Sequence, residues 1–260
     1  MRLKDKFKEL KNNNKKAFIA YIPFGYPDIR LTKEIFLALQ DCGVDIIELG
    51  IPFSDPLADG PIIQKATTTA LEKGANLDNF FKLLSQLKGR IKIPVVVMSY
   101  YNPIFKFGVE EFFKRLNSFG IKAVTIVDLP LEESKDYLKQ ARKFDIDTIF
   151  FITPTTPLER SRKIVKQARG FIYYISVTGI TGPKDLNYSR LRSSIRAVKK
   201  VTRLPICVGF GIHNRSQVIN ISKFSEGVIV GSEIVKFIDK NYRSRGFLDK
   251  LKKHIKSLKN

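Results

Sequence analysis

Glu48 is the residue whose type and position first indicate chemistry. It lies within Ile46 to Gly50, an otherwise apolar run with the composition of a buried strand. A carboxyl group surrounded by apolar side chains favours its protonated form, so its pKa rises towards the range in which a general acid or base works. The alternative is a structural glutamate at a strand end that pairs with one of the many lysines.

The loop that follows, from Pro52 to Pro61, contains two aspartates and three prolines. Proline fixes φ, so this loop has little backbone freedom and is suited to holding a catalytic group. Asp55 and Asp59 are therefore candidate carboxylates. Each also has a structural alternative, Asp55 as a turn residue before Pro56 and Asp59 as the cap of the helix predicted to begin near Pro61. Asp59 could serve both purposes.

Three glycine-bearing turns follow the last predicted strands: Thr178 to Gly182, Gly209 to Gly211, and Gly231-Ser232. Glycine lets backbone N–H groups approach an anion, and Ser232 opens a predicted helix whose N-terminus favours phosphate. Any one of these turns could need glycine for steric reasons alone. The three together predict a phosphate site.

Several kinds of chemistry are not indicated. The sequence has no Gly-x-Ser-x-Gly elbow, Walker loop or Gly-x-Gly-x-x-Gly fingerprint, and no lysine at a strand end suited to a Schiff base. Its two cysteines, Cys42 and Cys207, and its two histidines, His213 and His254, share no ligand spacing. We therefore expect neither a metal site nor a disulfide.

Acid–base catalysis by carboxyl groups on a small phosphorylated substrate is what remains. Such a substrate needs a largely apolar pocket with a few polar groups. The side chains expected to line it are Tyr21, Met98, Tyr100, Phe151 or Ile152, and Phe210.

Eight short apolar runs are the elements that must position these residues. We predict strands at Phe18 to Ile22, Ile46 to Gly50, Val95 to Ser99, Ala123 to Val127, Thr148 to Ile152, Phe171 to Ser176, Pro205 to Gly209 and Gly227 to Val230. Several are apolar at nearly every position, as parallel strands covered on both faces are. Amphipathic helical segments alternate with them, and no linker divides the chain. The pattern predicts a single α/β domain over residues 1 to 260, a (β/α)8 TIM barrel.

Additional helices are predicted after strand 2 and at both ends of the chain. The insertion after strand 2 comprises the stretches from Pro61 to Lys73 and from Asn79 to Leu87. The terminal helices are marked by Leu3, Phe7 and Leu10 at the start and by Lys252, Ile255 and Leu258 at the end. We interpret the N-terminal helix as structural rather than as a membrane-surface helix.

The charge is strongly positive: 46 basic and 25 acidic residues leave +21. Such a field attracts polyanions, so nucleic-acid binding must be weighed. The basic residues are scattered along predicted helices, however, and their densest runs lie near the termini, which favours a solvated surface. No apolar run reaches the roughly 20 residues of a membrane span, and no signal peptide is evident. We expect a cytoplasmic protein, with a plastid stroma left open.

From Ile47 to Gln64 the sequence closely resembles the signature of tryptophan synthase α subunits. The resemblance extends over essentially the whole chain. Further matching segments are Gly25 to Pro27, Tyr100 to Pro103, Asp128 to Glu133, Thr178 to Gly182, Gly209 to Ile212 and Gly231 to Lys236.

The resemblance implies retro-aldol cleavage of indole-3-glycerol phosphate to indole and glyceraldehyde 3-phosphate, with no cofactor bound by this subunit. Glu48 matches the general acid/base and Asp59 the carboxylate that stabilises positive charge on the indole nitrogen. The other implied roles are phosphate binding by Gly182, Gly211, Gly231 and Ser232, indole contact by Tyr21, Met98 and Phe210, a pocket position near Glu48 for Tyr173, and closure of a loop from Val177 to Leu191 by Thr181 onto Asp59.

Three positions depart from the pattern of some family members. Val177 stands where some have arginine, Met98 where some have a leucine-like residue, and Tyr21 where some have phenylalanine. The first two affect the expected loop closure and indole contact. None of the three removes a reacting group.

The resemblance also implies a partner, a β subunit that carries pyridoxal phosphate and forms an α2β2 heterotetramer. Pro52, Asp55 and the region from Asn102 to Phe107 would face it. We expect an acidic surface on this partner to offset part of the positive charge. Two alternatives stay open: a stand-alone lyase that releases free indole, and an inactive barrel that binds polyanions. The presence of Glu48 and Asp59 argues against the second.

Overall fold

The computed structural model describes residues 1–176 and 187–259, and its centre is a closed barrel of eight parallel strands in the order of the sequence. The strands are β1 (Ala17–Pro23), β2 (Ile46–Gly50), β3 (Val95–Ser99), β4 (Ala123–Ile126), β5 (Asp147–Ile152), β6 (Ile172–Ile175), β7 (Ile206–Gly209) and β8 (Gly227–Val230). The predicted TIM barrel is confirmed, and each predicted strand agrees with the observed one to within two residues at either end.

Alternation along the strands determines which side chains enter the barrel. Tyr21 of β1 lies opposite Glu48 of β2, which in turn lies opposite Val96 of β3. Successive side chains of a strand point to opposite faces, so Met98 shares the inward face with Val96. The outward residues are buried beneath helices, which explains why the strands are apolar at nearly every position.

Twelve helices accompany the strands in the described part of the chain. They are α1 (Leu3–Asn12), α2 (Ile29–Asp41), α3 (Pro61–Glu72), α4 (Leu77–Leu87), α5 (Tyr101–Phe107), α6 (Val109–Ser118), α7 (Lys135–Lys143), α8 (Leu158–Gln167), α9 (Tyr188–Lys199), α10 (Arg215–Ser222), α11 (Ser232–Asn241) and α12 (Phe247–Lys259). Helices α3 and α4 confirm the insertion after strand 2. Helix α5, which begins directly after β3, was not predicted.

Helix α1 closes the amino end of the barrel. Leu3, Phe7 and Leu10 are buried and join the cluster of apolar side chains inside the barrel. The Phe7 ring meets the Phe171 ring edge-on with centroids 6.0 Å apart. This end is therefore filled by apolar packing, so a polar site must lie at the opposite end, where the loops after the strands are.

The structural interpretation of the terminal helices is supported by their packing. Helix α12 packs against α2 and α10, and Leu251 and Ile255 are fully buried there. Within residues 1–176 and 187–259, no helix has both the length and the apolar character that crossing a bilayer requires.

Candidate active site

Glu48 lies inside the barrel as an isolated buried carboxyl group. Its side chain is 1% exposed, and among residues 1–176 and 187–259 neither carboxylate oxygen has a hydrogen-bond partner. Burial, and secondarily the nearby charge of Asp59, raise its pKa to about 8. In the described part of the chain no lysine or arginine forms an ion pair with it, so the alternative of a lysine-paired strand glutamate is wrong.

Asp59 is the second buried carboxyl group, in the loop between β2 and α3. It is 7% exposed, and its Oδ2 accepts a hydrogen bond of 3.0 Å from the Tyr100 hydroxyl. Burial raises the pKa of Asp59 to about 6, although the bond from Tyr100 acts in the opposite direction. Helix α3 begins after Gly60 without a side-chain cap, so the prediction that Asp59 caps it is wrong.

The loop that carries Asp59 is held from two sides. The Tyr100 hydroxyl accepts a 3.0 Å bond from the backbone N–H of Ala58. The Gln64 side-chain amide donates to the backbone carbonyls of Asp59 at 3.0 Å and of Pro56 at 3.4 Å. Sequence reasoning gave Gln64 no role, because its partners are loop carbonyls that no residue pattern reveals.

Asp55, the other aspartate of this loop, is exposed and accepts a hydrogen bond from the Ser54 hydroxyl. Its own backbone carbonyl accepts from the N–H of Leu57 at 2.9 Å. These contacts support its interpretation as a turn residue. It is not part of the buried pair.

Tyr21 and Tyr173 lie beside the two carboxyl groups, and each occupies space that a glycine leaves free. A Cβ on Gly50 would lie 2.5 Å from the Tyr21 hydroxyl oxygen, and one on Gly209 would lie 2.6 Å from that of Tyr173. Burial raises the pKa of both tyrosines far above the usual value, and the Glu48 charge adds to the effect. Both hydroxyl groups therefore stay protonated.

Aromatic rings form one wall of the site. The Tyr173 ring centroid lies 4.7 Å from that of Phe151 and 5.8 Å from that of Phe210. Phe151, rather than the outward-facing Ile152, is thus the β5 residue at the site. On the opposite side Met98 is 7% exposed on the inward face of β3, and Phe53 packs against Tyr100 with centroids 5.3 Å apart.

The turns after β7 and β8 present backbone at the barrel mouth. Phe210 and Gly211 both have positive φ, +69° and +75°. Gly231 precedes α11, whose first residue is the exposed Ser232, and no side chain of the described residues caps this helix. Its first N–H groups are thus available for an anion. Thr181, Gly182 and Val177 belong to predictions that lie outside the described residues.

The histidines and cysteines do not assemble at the site. His213 bonds through Nδ1 to the carbonyl of Gly211 at 3.0 Å, whereas the His254 ring stacks on Phe237. Cys42 and Cys207 are buried and unbonded to each other. Across the two described ranges, no group of three histidine, cysteine or acidic side chains is placed to hold a metal ion.

Fold and site together define the class: a (β/α)8-barrel enzyme with two buried carboxyl groups at the carboxyl end of its strands. The family model for the tryptophan synthase alpha chain matches residues 7–260. The tryptophan synthase alpha chain of a Thermoanaerobacter species is 41% identical over 258 residues, which cover 99% of this chain and 98% of that one. For the Methanocaldococcus jannaschii alpha chain the values are 42% over 247 residues, with coverages of 95% and 88%.

Solved structures agree with these sequences. Tryptophan synthase subunit alpha from Legionella pneumophila superposes with a TM-score of 0.92 at 32% identity, over 99% of this chain and 97% of that one. Tryptophan synthase from M. tuberculosis, in its aminoacrylate-bound form, gives a TM-score of 0.88 at 32% identity with the same coverages. The chain belongs to the tryptophan synthase alpha chain family and is a lyase of tryptophan biosynthesis.

Proposed function

We propose that this protein cleaves indole-3-glycerol phosphate to indole and glyceraldehyde 3-phosphate. The observation that carries the proposal is the buried pair of Glu48 and Asp59, whose pKa values are raised to different extents. Two carboxyl groups of different pKa can act as an acid and a base at one pH. The open N-terminus of α11 suits the substrate phosphate, and the aromatic wall suits the indole ring.

Glu48 is protonated at neutral pH because its pKa is about 8. It donates this proton to indole C3, and the ring then carries a positive charge at its nitrogen. The bond between C3 and the glycerol carbon breaks, and its electron pair returns to the ring. The carboxylate left on Glu48 takes the proton of the glycerol hydroxyl group as that group becomes the aldehyde, so the acid form is restored.

Asp59 is ionised at neutral pH because its pKa is about 6. Its negative charge stabilises the positive charge that develops on the indole nitrogen. The Tyr100 hydroxyl bonds one of its oxygens at 3.0 Å and so fixes the orientation of the carboxylate. The two acids thus act at opposite ends of one electron shift.

The direct test is an assay of indole release from indole-3-glycerol phosphate by the purified protein. We expect indole and glyceraldehyde 3-phosphate in equal amounts. Added tryptophan synthase β subunit should increase the rate; full activity without it would favour a stand-alone lyase. Absence of product in both conditions, together with salt-sensitive binding of nucleic acid, would favour the polyanion-binding barrel.

The pH dependence of kcat/KM should be bell-shaped. Activity should fall below about pH 6, where Asp59 becomes protonated, and above about pH 8, where Glu48 loses the proton it must donate. Rates measured from pH 5 to pH 10 would show the two limbs. Tyr100→Phe is the matched variant: it removes a hydrogen bond that lowers the pKa of Asp59, so only the acid limb should move, towards higher pH. An unmoved acid limb would assign that limb to another group.

For the partner we propose docking at the barrel mouth. Leu57, in the Asp59 loop, is 81% exposed, and Phe105, on α5, is 64% exposed. Leu57 follows β2 and Phe105 follows β3, and these two strands are neighbours, so both side chains are at the same end of the barrel. Exposed apolar side chains grouped in this way are typical of interaction surfaces. Asp55, in the same loop as Leu57, is also exposed, whereas Pro52 is buried within this chain, so Asp55 is the better placed of the two for contact with a partner. Pyridoxal phosphate would be carried by the partner, and this chain would work without a cofactor of its own.

Phe105→Asp should weaken association with the β subunit by about 30-fold, as loss of an interface anchor worth about 2 kcal/mol does. Activity of the isolated chain should not change, because Phe105 lies on the surface. Titration calorimetry at low and high salt would measure the association, and weakening with salt would support the acidic partner surface. Ile219→Asp is the control, since Ile219 is 41% exposed on α10. Equal weakening by both variants would contradict the assigned surface.

A further inference from the structure

Ser176, the residue that follows β6, connects this strand to the turn after β7. Its hydroxyl group lies within hydrogen-bond distance of two backbone carbonyl oxygens, at 2.8 Å from that of Gly209 and also close to that of Phe210. Its backbone N–H donates to the Gly209 carbonyl at 3.0 Å. The backbone bond continues the pairing of β6 with β7, whereas the contact between the hydroxyl group and the Phe210 carbonyl is made by the serine side chain alone.

The turn that Ser176 contacts has an unusual backbone. Phe210 has φ +69°, a left-handed conformation that is uncommon for a bulky residue and persists only where surrounding contacts hold it. This conformation directs the Phe210 ring edge-on towards Tyr173, with centroids 5.8 Å apart. The next residue is Gly211, which also has positive φ. One short turn therefore carries both an aromatic wall residue and a backbone segment predicted to face phosphate.

We propose that Ser176 is a positioning residue that sets this turn for both ends of the substrate. The inference rests on the proposed function, because that function assigns the indole to the Phe210 ring and the phosphate to Gly211. Without the hydroxyl group the Phe210 carbonyl loses the partner that opposes relaxation of the left-handed backbone. The ring and the Gly211 N–H then move together, whereas Glu48 and Asp59, on other strands and loops, keep their places.

Ser225 provides a matched control at the opposite end of the barrel. It is fully buried just before β8, and its hydroxyl group also lies near two carbonyl oxygens, of Ile221 at 3.0 Å and of Gly227 at 3.2 Å. Ser225→Ala therefore removes the same kind of contact where no substrate is bound. It measures what such a bond contributes to folding alone.

The experiment compares Ser176→Ala, Ser176→Thr and Ser225→Ala with the wild-type protein. For Ser176→Ala we expect KM to rise at least tenfold and the affinity for inorganic phosphate, measured by calorimetry, to fall at least fivefold. The value of kcat should stay within threefold, and neither limb of the pH profile should move. The reason is that the turn after β7 binds the substrate equally well in the ground state and in the transition state. Ser176→Thr keeps the hydroxyl group and should restore most of both affinities.

Ser225→Ala should lower the melting temperature without changing KM. A wild-type KM and phosphate affinity in Ser176→Ala, or an equal rise of KM in Ser225→Ala, would overturn the positioning role. If the wild-type protein binds phosphate but releases no indole, the proposed function fails, and the phosphate affinities of the variants still decide the role of Ser176. If the wild-type protein neither binds phosphate nor releases indole, both proposals fail.

Discussion

Glu48→Gln should lower kcat by about 10³-fold while KM stays within a few-fold, because a general acid contributes roughly 10²–10⁴-fold to a rate. Glutamine has almost the same shape, so the pocket keeps its volume, but its amide cannot donate a proton to indole C3. Steady-state rates of indole release at pH 7 would measure the loss. A variant that kept more than a tenth of the wild-type kcat would assign the proton transfer to another group.

The pH dependence of unfolding of the same variant shows whether its low activity reflects lost chemistry or lost folding. The pKa of Glu48 is raised from 4.5 when unfolded to about 8 when folded, so the folded state binds the extra proton between these values. Wild-type stability should therefore fall as pH rises from about 4.5 to 8 and level off above. In Glu48→Gln only the fall due to Asp59 should remain, between about pH 4 and pH 6. Above pH 8 we expect the variant to be more stable by roughly 5 kcal/mol, since the shift spans about 3.5 pKa units and each unit is worth about 1.4 kcal/mol. Denaturant titrations at pH 5 and pH 9 would show the difference.

The barrel was predictable because its signal is local and repeated. Each strand is a short apolar run, each helix has its own periodicity, and eight repetitions leave few topologies open. Glu48 was predictable for the same reason, as one ionisable residue in an apolar strand. Helix α5 was missed because Tyr101 to Phe107 follows β3 without a turn signal and spans only 7 residues.

The arrangement of the site was less predictable because it depends on contacts between distant residues. The sequence left two interpretations of Asp59, a catalytic carboxylate and a helix cap. The first is favoured by Tyr100, 41 residues away along the chain, whose hydroxyl group donates a hydrogen bond to the Asp59 carboxylate. Ser176 and Phe210 are 34 residues apart, and nothing in either segment shows that they touch. Composition and spacing describe one element at a time, whereas these bonds join loops that only the closed barrel brings together.

The packing of Tyr21 and Tyr173 was predictable in part. Gly50 and Gly209 belonged to predicted strands, and glycine within a strand can mark a close approach of another group. Which group approaches is not visible in the sequence. The folded barrel answers this, because the side chain of Tyr21 reaches Gly50 and that of Tyr173 reaches Gly209. Each of these glycines lies two residues beyond the tyrosine's own register partner.

Asp59→Asn should lower kcat by about 10²–10³-fold, as removal of one preorganised electrostatic contact in an active site does. Asparagine can still accept the Tyr100 hydrogen bond, so the loop keeps its anchor, but the neutral amide does not stabilise positive charge on the indole nitrogen. Single-turnover rates of indole formation would measure the effect on chemistry. Tyr100→Phe is the control, because it leaves the Asp59 charge in place and should cost much less than tenfold near pH 8.

Asp59→Asn should also change the pH profile of the remaining activity. The negative charge of Asp59 is one of the two causes that raise the pKa of Glu48, so its removal should lower that pKa. The alkaline limb should then move to lower pH, while the acid limb that reports ionisation of Asp59 should disappear. An alkaline limb that stays near pH 8 would mean that the charge of Asp59 does not affect the pKa of Glu48. The two carboxyl groups would then act independently of each other in the reaction.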